Sequence, residues 1–173
     1  DLISRLLAAE PSYSAIGLVR DPRAVIYSWS KAPREFDGSW DLSKESRNAA
    51  RKNSDLAENW YGFERWKKLT LLFHKLRDEY PGRFHIIRYE ELLAMPEIAL
   101  ASLYGSLGLP WTPQVQAFLK ESQSRDDGSA YGVFRNSGEI QNNWRGELPS
   151  EITEAIHDEL EDSRLSRYLS TMK

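Results

Sequence analysis

The order of apolar runs and breakers along this 173-residue chain predicts an α/β fold, with a parallel sheet flanked by helices. Three observations carry that expectation. Ser14 to Arg20 is a short apolar run holding Ala15, Ile16, Leu18 and Val19, followed at once by Asp21-Pro22, a capping residue and a proline suited to the first helical position. Arg83 to Arg88 (RFHIIR) has the brevity and β-branched content of a second strand. The stretch between them has helical spacing, and a strand–helix–strand order is what parallel pairing requires.

Element by element, Leu2 to Ala9 has helical spacing and stops at Glu10-Pro11, ahead of the first strand. The helix opened by Asp21-Pro22 continues through Val25, Ile26 and Trp29. Ala32 to Ser43 is polar, with Pro33, Gly38 and Trp40, and reads as a loop, a possible lid beside an anion site. From Lys44 to Tyr80 the apolar residues Leu56, Trp60, Phe63, Leu69, Leu72, Phe73 and Leu76 fall near i, i+3, i+4 steps, a packed helix face ended by Pro81-Gly82. After the second strand, Pro96 to Leu107 is a helix stopped by Gly108-Leu109-Pro110, and Gln114 to Ser122 is another. Gln123 to Glu147 is polar, dotted with glycine and without period, which in a compact domain marks a functional or disordered loop. From Pro149 the chain predicts amphipathic terminal helix, with Ser150 as cap and Ile152, Ile156 and Leu160 inward.

Composition narrows the function classes. A formal charge of −3 excludes a chain that coats nucleic acid, so any anion site must be local. No apolar run approaches the length of a membrane span. There is no cysteine, which removes disulfides, thiolate catalysis and thiolate metal sites together. His74, His85 and His157 lack ligand spacing, and no metal is expected. A cysteine-free chain is expected in the cytoplasm, as a bacterial protein, with the Golgi lumen as the alternative.

Arg20 falls at the carboxyl end of the first strand and at the mouth of the next helix, where open α/β sheets bind ligands. Ser28 lies two turns into that helix, roughly 10 Å along its axis from the cap, within reach of an arginine folding back. A guanidinium binds phosphate oxygens bidentately and a hydroxyl adds a neutral hydrogen bond, so the two can grip one phosphate. The plain alternative is an arginine closing the strand end by pairing with Asp21 or a nearby glutamate.

Arg20-Asp21-Pro22-Arg23-Ala24-Val25-Ile26-Tyr27-Ser28 resembles the 3′-phosphate-binding segment of sulfotransferases, which has the form R-[DN]-P-[RK]-x-x-x-x-S after a strand. Tyr89-Glu90-Glu91-Leu92 resembles the family's Y-E-[DE]-L/M segment, whose tyrosine approaches the adenine of the donor; an aromatic face with one polar end suits a purine, and a tyrosine that only caps the core is the alternative. Leu103, Tyr104, Leu107, Gly108, Leu109 and Pro110 follow a structural run of the same family. Phe134-Arg135-Asn136-Ser137-Gly138 and Asn143-Trp144-Arg145 are similar to its late elements that close over the nucleotide, although their spacing departs from the small-molecule enzymes and Asn143 stands where tyrosylprotein-type members carry lysine. The resemblance implies that Arg135, Ser137 and Gly138 complete the 3′-phosphate cradle begun by Arg20 and Ser28, with Trp144 and Arg145 anchoring the loop. An ordinary charged surface loop is the alternative there.

The resemblance further implies a P-loop-NTPase-like sheet and a single sulfotransferase-like domain over residues 1–173, with 3′-phosphoadenosine 5′-phosphosulfate (PAPS) as co-substrate. The family's opening strand and 5′-phosphosulfate loop have no counterpart here, and its catalytic base would precede Asp1. The chain therefore reads as the carboxyl-terminal half to two-thirds of the domain, inactive alone, with an amino-terminal remainder as partner. The acceptor, a glycan, a protein tyrosine or a small molecule, is left open; the R-D-P-R and N-W-R-G-E-L elements look most like carbohydrate- and tyrosylprotein-type members. Glu35, Asp37 and Asp41 could touch an acceptor, but nothing in the sequence separates them from a solvated loop. Two other readings stand beside this one: a P-loop kinase relative, and a non-catalytic interaction module of the same fold.

Overall fold

The computed structural model describes residues 2–54, 56, 58–124 and 143–171. Their contacts divide into two compact units. One comprises the described residues up to Val19 and from Leu71 to Ser124; the other comprises those from Arg20 to Thr70 and from Asn143 onward.

The first unit holds α1 (Leu2–Ala9) and β1 (Ala15–Val19). Its remaining elements are β2 (Phe84–Arg88), α6 (Tyr89–Ala94), α7 (Pro96–Ser106) and α8 (Pro113–Ser124). The expected α/β class holds, with a two-stranded parallel sheet among the described residues. The register runs from Ala15 opposite Phe84 to Val19 opposite Arg88. Arg83 joins helix to sheet: its guanidinium donates to the carbonyls of Leu7 at 2.8 Å, Glu10 at 2.6 Å and Tyr13 at 3.0 Å. The Leu7 carbonyl is one that the end of α1 leaves without an intrahelical donor. Gly17 lets the sheet approach its helix, since a Cβ there would lie 2.6 Å from the Phe73 ring, which itself packs on Phe84 at 5.4 Å. β1 buries Gly17 and Val19, while Ile16 and Leu18 of the same apolar run are about half exposed at 49% and 52%. Strand periodicity puts alternate residues on opposite faces, and the described residues cover only one of them.

The second unit holds α2 (Pro22–Ser30), α3 (Leu42–Asn48), α4 (Ala50–Asn53) and α9 (Ser150–Leu160), with a 3₁₀ turn at Ser166–Tyr168. The helix α5 (Phe63–Glu79) crosses from this unit into the first between Thr70 and Leu71. The single helix expected from Lys44 to Tyr80 is instead three. Ala49 adopts a left-handed φ of 47° and breaks the first turnings. Asn53 then folds the chain back, its amide donating to the carbonyls of Asn48 (2.7 Å) and Tyr61 (2.9 Å) while its oxygen accepts from Tyr61 N–H at 3.0 Å. Gly62, with φ of 86°, lies where a Cβ would be 2.8 Å from the Arg47 carbonyl oxygen. Phe63, Phe73 and Leu76 are buried as expected, but Leu56 and Trp60 are exposed, because they belong to the bend and not to a helix face. α9 presents Ile152, Ile156 and Leu160 inward and contacts α2 and α3. Pro149 precedes it, so Ser150, expected as the cap, is its first helical residue and accepts at its carbonyl from the Thr153 hydroxyl.

Candidate functional site

The start of α2 is built around a buried ion pair. Asp21 caps the helix by accepting from the Arg23 backbone N–H at 2.9 Å. The same carboxylate takes Arg23 Nε at 3.0 Å on Oδ1 and Nη2 at 2.7 Å on Oδ2, a fork-like pairing of two side chains that are both 0% exposed. The Ser170 N–H also donates to Oδ2 at 2.8 Å, and Arg23 Nη2 returns a bond to the Ser170 carbonyl at 2.8 Å. The guanidinium stacks on the buried Trp144 ring, 4.5 Å from its centroid. Sequence reasoning weighed Arg20 as the partner of Asp21 and missed Arg23, for which the only signal was an acid and a base two residues apart across a cap.

Arg20 itself is half-buried and leaves β1 directly ahead of this lock; its carbonyl accepts from the Trp66 indole at 3.0 Å. Ser28 is exposed on α2. Both belong to the second unit, Arg20 directly before the cap Asp21 and Ser28 within the helix. Tyr89 lies in the first unit, as the opening residue of α6 with Arg88 at the cap. It is half-buried and follows the last register pair of the sheet, just as Arg20 does. Arg135, Ser137 and Gly138 lie outside the described residues. Trp144 is buried and Arg145 donates to the Thr171 carbonyl at 2.5 Å, so both anchor the chain to the second unit.

Beyond Ser30 the polar stretch is held by side-chain bonds, with Arg34, Asp37 and Asp41 exposed. Glu35 receives the Tyr61 hydroxyl at 2.9 Å and Lys52 Nζ at 2.8 Å, which together hold its carboxyl below the usual value, Lys52 contributing most. Asp37 is held low by the Ser39 N–H, which it accepts at 2.8 Å. Asp41 caps α3 through the Ser43 N–H at 3.0 Å and pairs with Lys44 at 3.2 Å, a structural role. Behind the loop Trp29, Phe36, Trp40 and Tyr61 form an aromatic cluster with ring spacings of 5.0–5.5 Å. The result is a cleft of about 670 Å³ opening at the end of α2, with Arg34, Glu35, Asp37, Trp40 and Lys52 among its walls. A larger cleft of about 730 Å³ lies in the first unit beside β2 and α7, with mainly apolar walls such as Ile86, Ile87, Ile98 and Leu103. None of the expected site residues lines it. Among the described residues there is no group of three or more histidines and carboxylates able to hold a metal ion.

The model of the Sulfotransferase family matches residues 1–113, well over half of the chain. The chain belongs to the sulfotransferase family. It is thus a member of a family of transferase enzymes whose general sulfonate donor is PAPS, and the P-loop kinase alternative falls away. The chain is similar to carbohydrate sulfotransferase 3 of Rattus norvegicus, 30% identical over 159 residues that cover 87% of this chain and 32% of the relative. Carbohydrate sulfotransferase 3 of Homo sapiens is 30% identical over 158 residues, with the same two shares. Carbohydrate sulfotransferase 1 of Homo sapiens is 27% identical over 169 residues, covering 86% of this chain and 37% of that protein. The chain thus spans about a third of the length of these relatives. No solved structure matches it. The expected bacterial, cytoplasmic placement finds no support in these animal proteins, since a segment that folds without cysteine says nothing of its compartment. Among the described residues no helix is long and apolar enough to cross a membrane.

Proposed function

We propose that this chain supplies the nucleotide-binding part of a carbohydrate sulfotransferase, which moves the sulfonate of PAPS to a hydroxyl of a glycan. The observation that carries the reading is the R-D-P-R-x-x-x-x-S segment on a strand end and a capped helix: Asp21 and Arg23 pair with one another inside the protein, while Arg20 stands half-buried at the strand end and Ser28 is exposed on the helix. The names of the carbohydrate sulfotransferases this chain resembles support a glycan as the acceptor.

In this reading Arg20 and Ser28 bind the 3′-phosphate, and Tyr89 packs on the adenine from the end of the neighbouring strand. Arg135, Ser137 and Gly138 complete the cradle. The two strands belong to a larger P-loop-NTPase-like parallel sheet, and both units to a single domain over residues 1–173. The acceptor hydroxyl loses its proton to a general base and its oxygen attacks sulfur. The bond from sulfur to the phosphate oxygen breaks, its electrons remain on that oxygen, and 3′-phosphoadenosine 5′-phosphate departs. The part of Arg20, Ser28 and Tyr89 is to hold the donor so that attack is in line.

The test is calorimetric titration of the complete protein with 3′-phosphoadenosine 5′-phosphate, and with 5′-AMP as the control lacking the 3′-phosphate. Binding should depend on that phosphate. Arg20→Ala should remove charge-assisted bonds of about 1.5 to 3 kcal/mol each, a loss of about tenfold or more in affinity, while Ser28→Ala should cost about 0.5 to 1.5 kcal/mol. Binding indifferent to the 3′-phosphate, or to Arg20→Ala, would refute the assignment and favour an interaction module that keeps only the fold.

A further inference from the structure

The geometry points to the cleft beyond α2 as the seat of the acceptor: we infer that a pyranose ring of a glycan stacks on Trp40 there, with its hydroxyls bound by Arg34, Glu35 and Asp37. This rests on the carbohydrate sulfotransferase reading and adds the acceptor's place to it.

A sugar ring presents an apolar C–H face and a rim of hydroxyls, so a site for it needs an aromatic face together with planar polar side chains able to make paired hydrogen bonds. The cleft supplies both. Trp40 stands in its wall, half-buried, and its ring is set edge-on at 5.5 Å against Phe36, which is set edge-on at 5.0 Å against Trp29. The stacking surface is therefore backed by a packed cluster and does not have to be ordered on binding. The polar members are equally fixed. Glu35 is clamped by Lys52 and Tyr61, and Asp37 by the Ser39 N–H. The Glu35 backbone is pinned as well, since its carbonyl accepts from the Trp29 indole at 3.1 Å. Among the charged walls are Lys31, Arg34 and Lys52 against Glu35 and Asp37, a near-balanced set suited to hydroxyls rather than to a dense anion. At about 670 Å³ the cleft falls within the range of small-ligand sites, about 300–1,000 Å³. Its mouth begins at Ser30, the last residue of the helix that carries Ser28.

The experiment titrates the complete protein with a neutral tetrasaccharide of alternating galactose and N-acetylglucosamine, with an acidic one of alternating glucuronate and N-acetylgalactosamine, and separately with 3′-phosphoadenosine 5′-phosphate. Trp40→Ala should weaken tetrasaccharide binding by about tenfold or more, and Trp40→Tyr, which keeps an aromatic face, should weaken it far less. Neither should change affinity for the nucleotide. Should Trp40→Ala lose both ligands through misfolding, Arg34→Gln decides, and it must weaken the tetrasaccharide alone. A wild-type protein that binds the nucleotide but neither tetrasaccharide, or tetrasaccharide binding indifferent to Trp40 and Arg34, overturns the proposal and leaves the donor reading standing. Loss of 3′-phosphate-dependent nucleotide binding in the wild type overturns the donor reading, and Trp40-dependent tetrasaccharide binding would then still support the cleft.

Discussion

Replacing Arg23 with methionine tests whether the interior of the R-D-P-R segment is held by charge. Methionine keeps much of the arginine stem and removes the guanidinium. Lost with it are the bonds to Asp21 at 3.0 and 2.7 Å, the bond to the Ser170 carbonyl at 2.8 Å and the stack on Trp144. Asp21 keeps the backbone N–H groups of residue 23 and of Ser170, so its carboxylate is not stranded. The cost should fall at the low end of the range for breaking a buried pair, about 3 kcal/mol of about 3–5. For a chain of this size, at about 2–4 °C per kcal/mol, that is a fall of about 6–12 °C in Tm. Asp21→Asn leaves an uncompensated guanidinium where no water reaches, and should cost about as much or more. The double variant removes both charges, so it should be less destabilised than the two single losses added together, by about 2 kcal/mol. Urea unfolding followed by tryptophan fluorescence reads all three, because Trp144 lies under the guanidinium. A cost below about 1 kcal/mol for Arg23→Met, the range of exposed pairs, or strict additivity in the double variant, would refute the argument that this pair locks the start of α2.

Gly17→Ala places a methyl 2.6 Å from Phe73 Cδ2, so thermal unfolding should show a loss of about 1–3 kcal/mol from overpacking, part of which Phe73→Leu in the same chain should restore. Acid should release the clamp on Glu35: Lys52 and then Tyr61 hold its carboxyl below the ordinary value, so its contribution is complete at neutral pH, above the unfolded value, and is lost as pH falls through the lowered one. The stability gap between wild type and Glu35→Gln, measured by denaturant titration across that interval, should close on acidification; a gap constant with pH would mean that the clamp is not ionic.

Much of this architecture is legible because the signals are local. A cap and a proline need only each other and the next turn of backbone, so Asp21-Pro22 marks the start of α2 to the residue. Ile152, Ile156 and Leu160 share one helix face whatever lies opposite, and they are buried. The stretch from Lys44 to Tyr80 has a helical spacing that a bent chain also meets: the break is made by Asn53 bonding to Asn48 and to Tyr61 across the bend, and by Gly62 at positive φ, which periodicity does not register.

The candidate site divides in the same way. The R-D-P-R-x-x-x-x-S segment and the tyrosine after the second strand can be read from residue order, because a strand end and a helix start set where such side chains begin. Residue order does not say that Arg23 is buried against Asp21; Ser170 and Trp144, more than a hundred residues away, decide that by enclosing the pair. Nor does it distinguish Glu35 and Trp40 from a solvated loop. They become walls of a cleft only when Lys52 and Tyr61 arrive from beyond α3 and Phe36 packs between Trp29 and Trp40. Local backbone preferences act over a few residues and are written in the sequence directly, whereas burial and ion pairing depend on which distant side chains share the same volume, and that is a property of the folded chain.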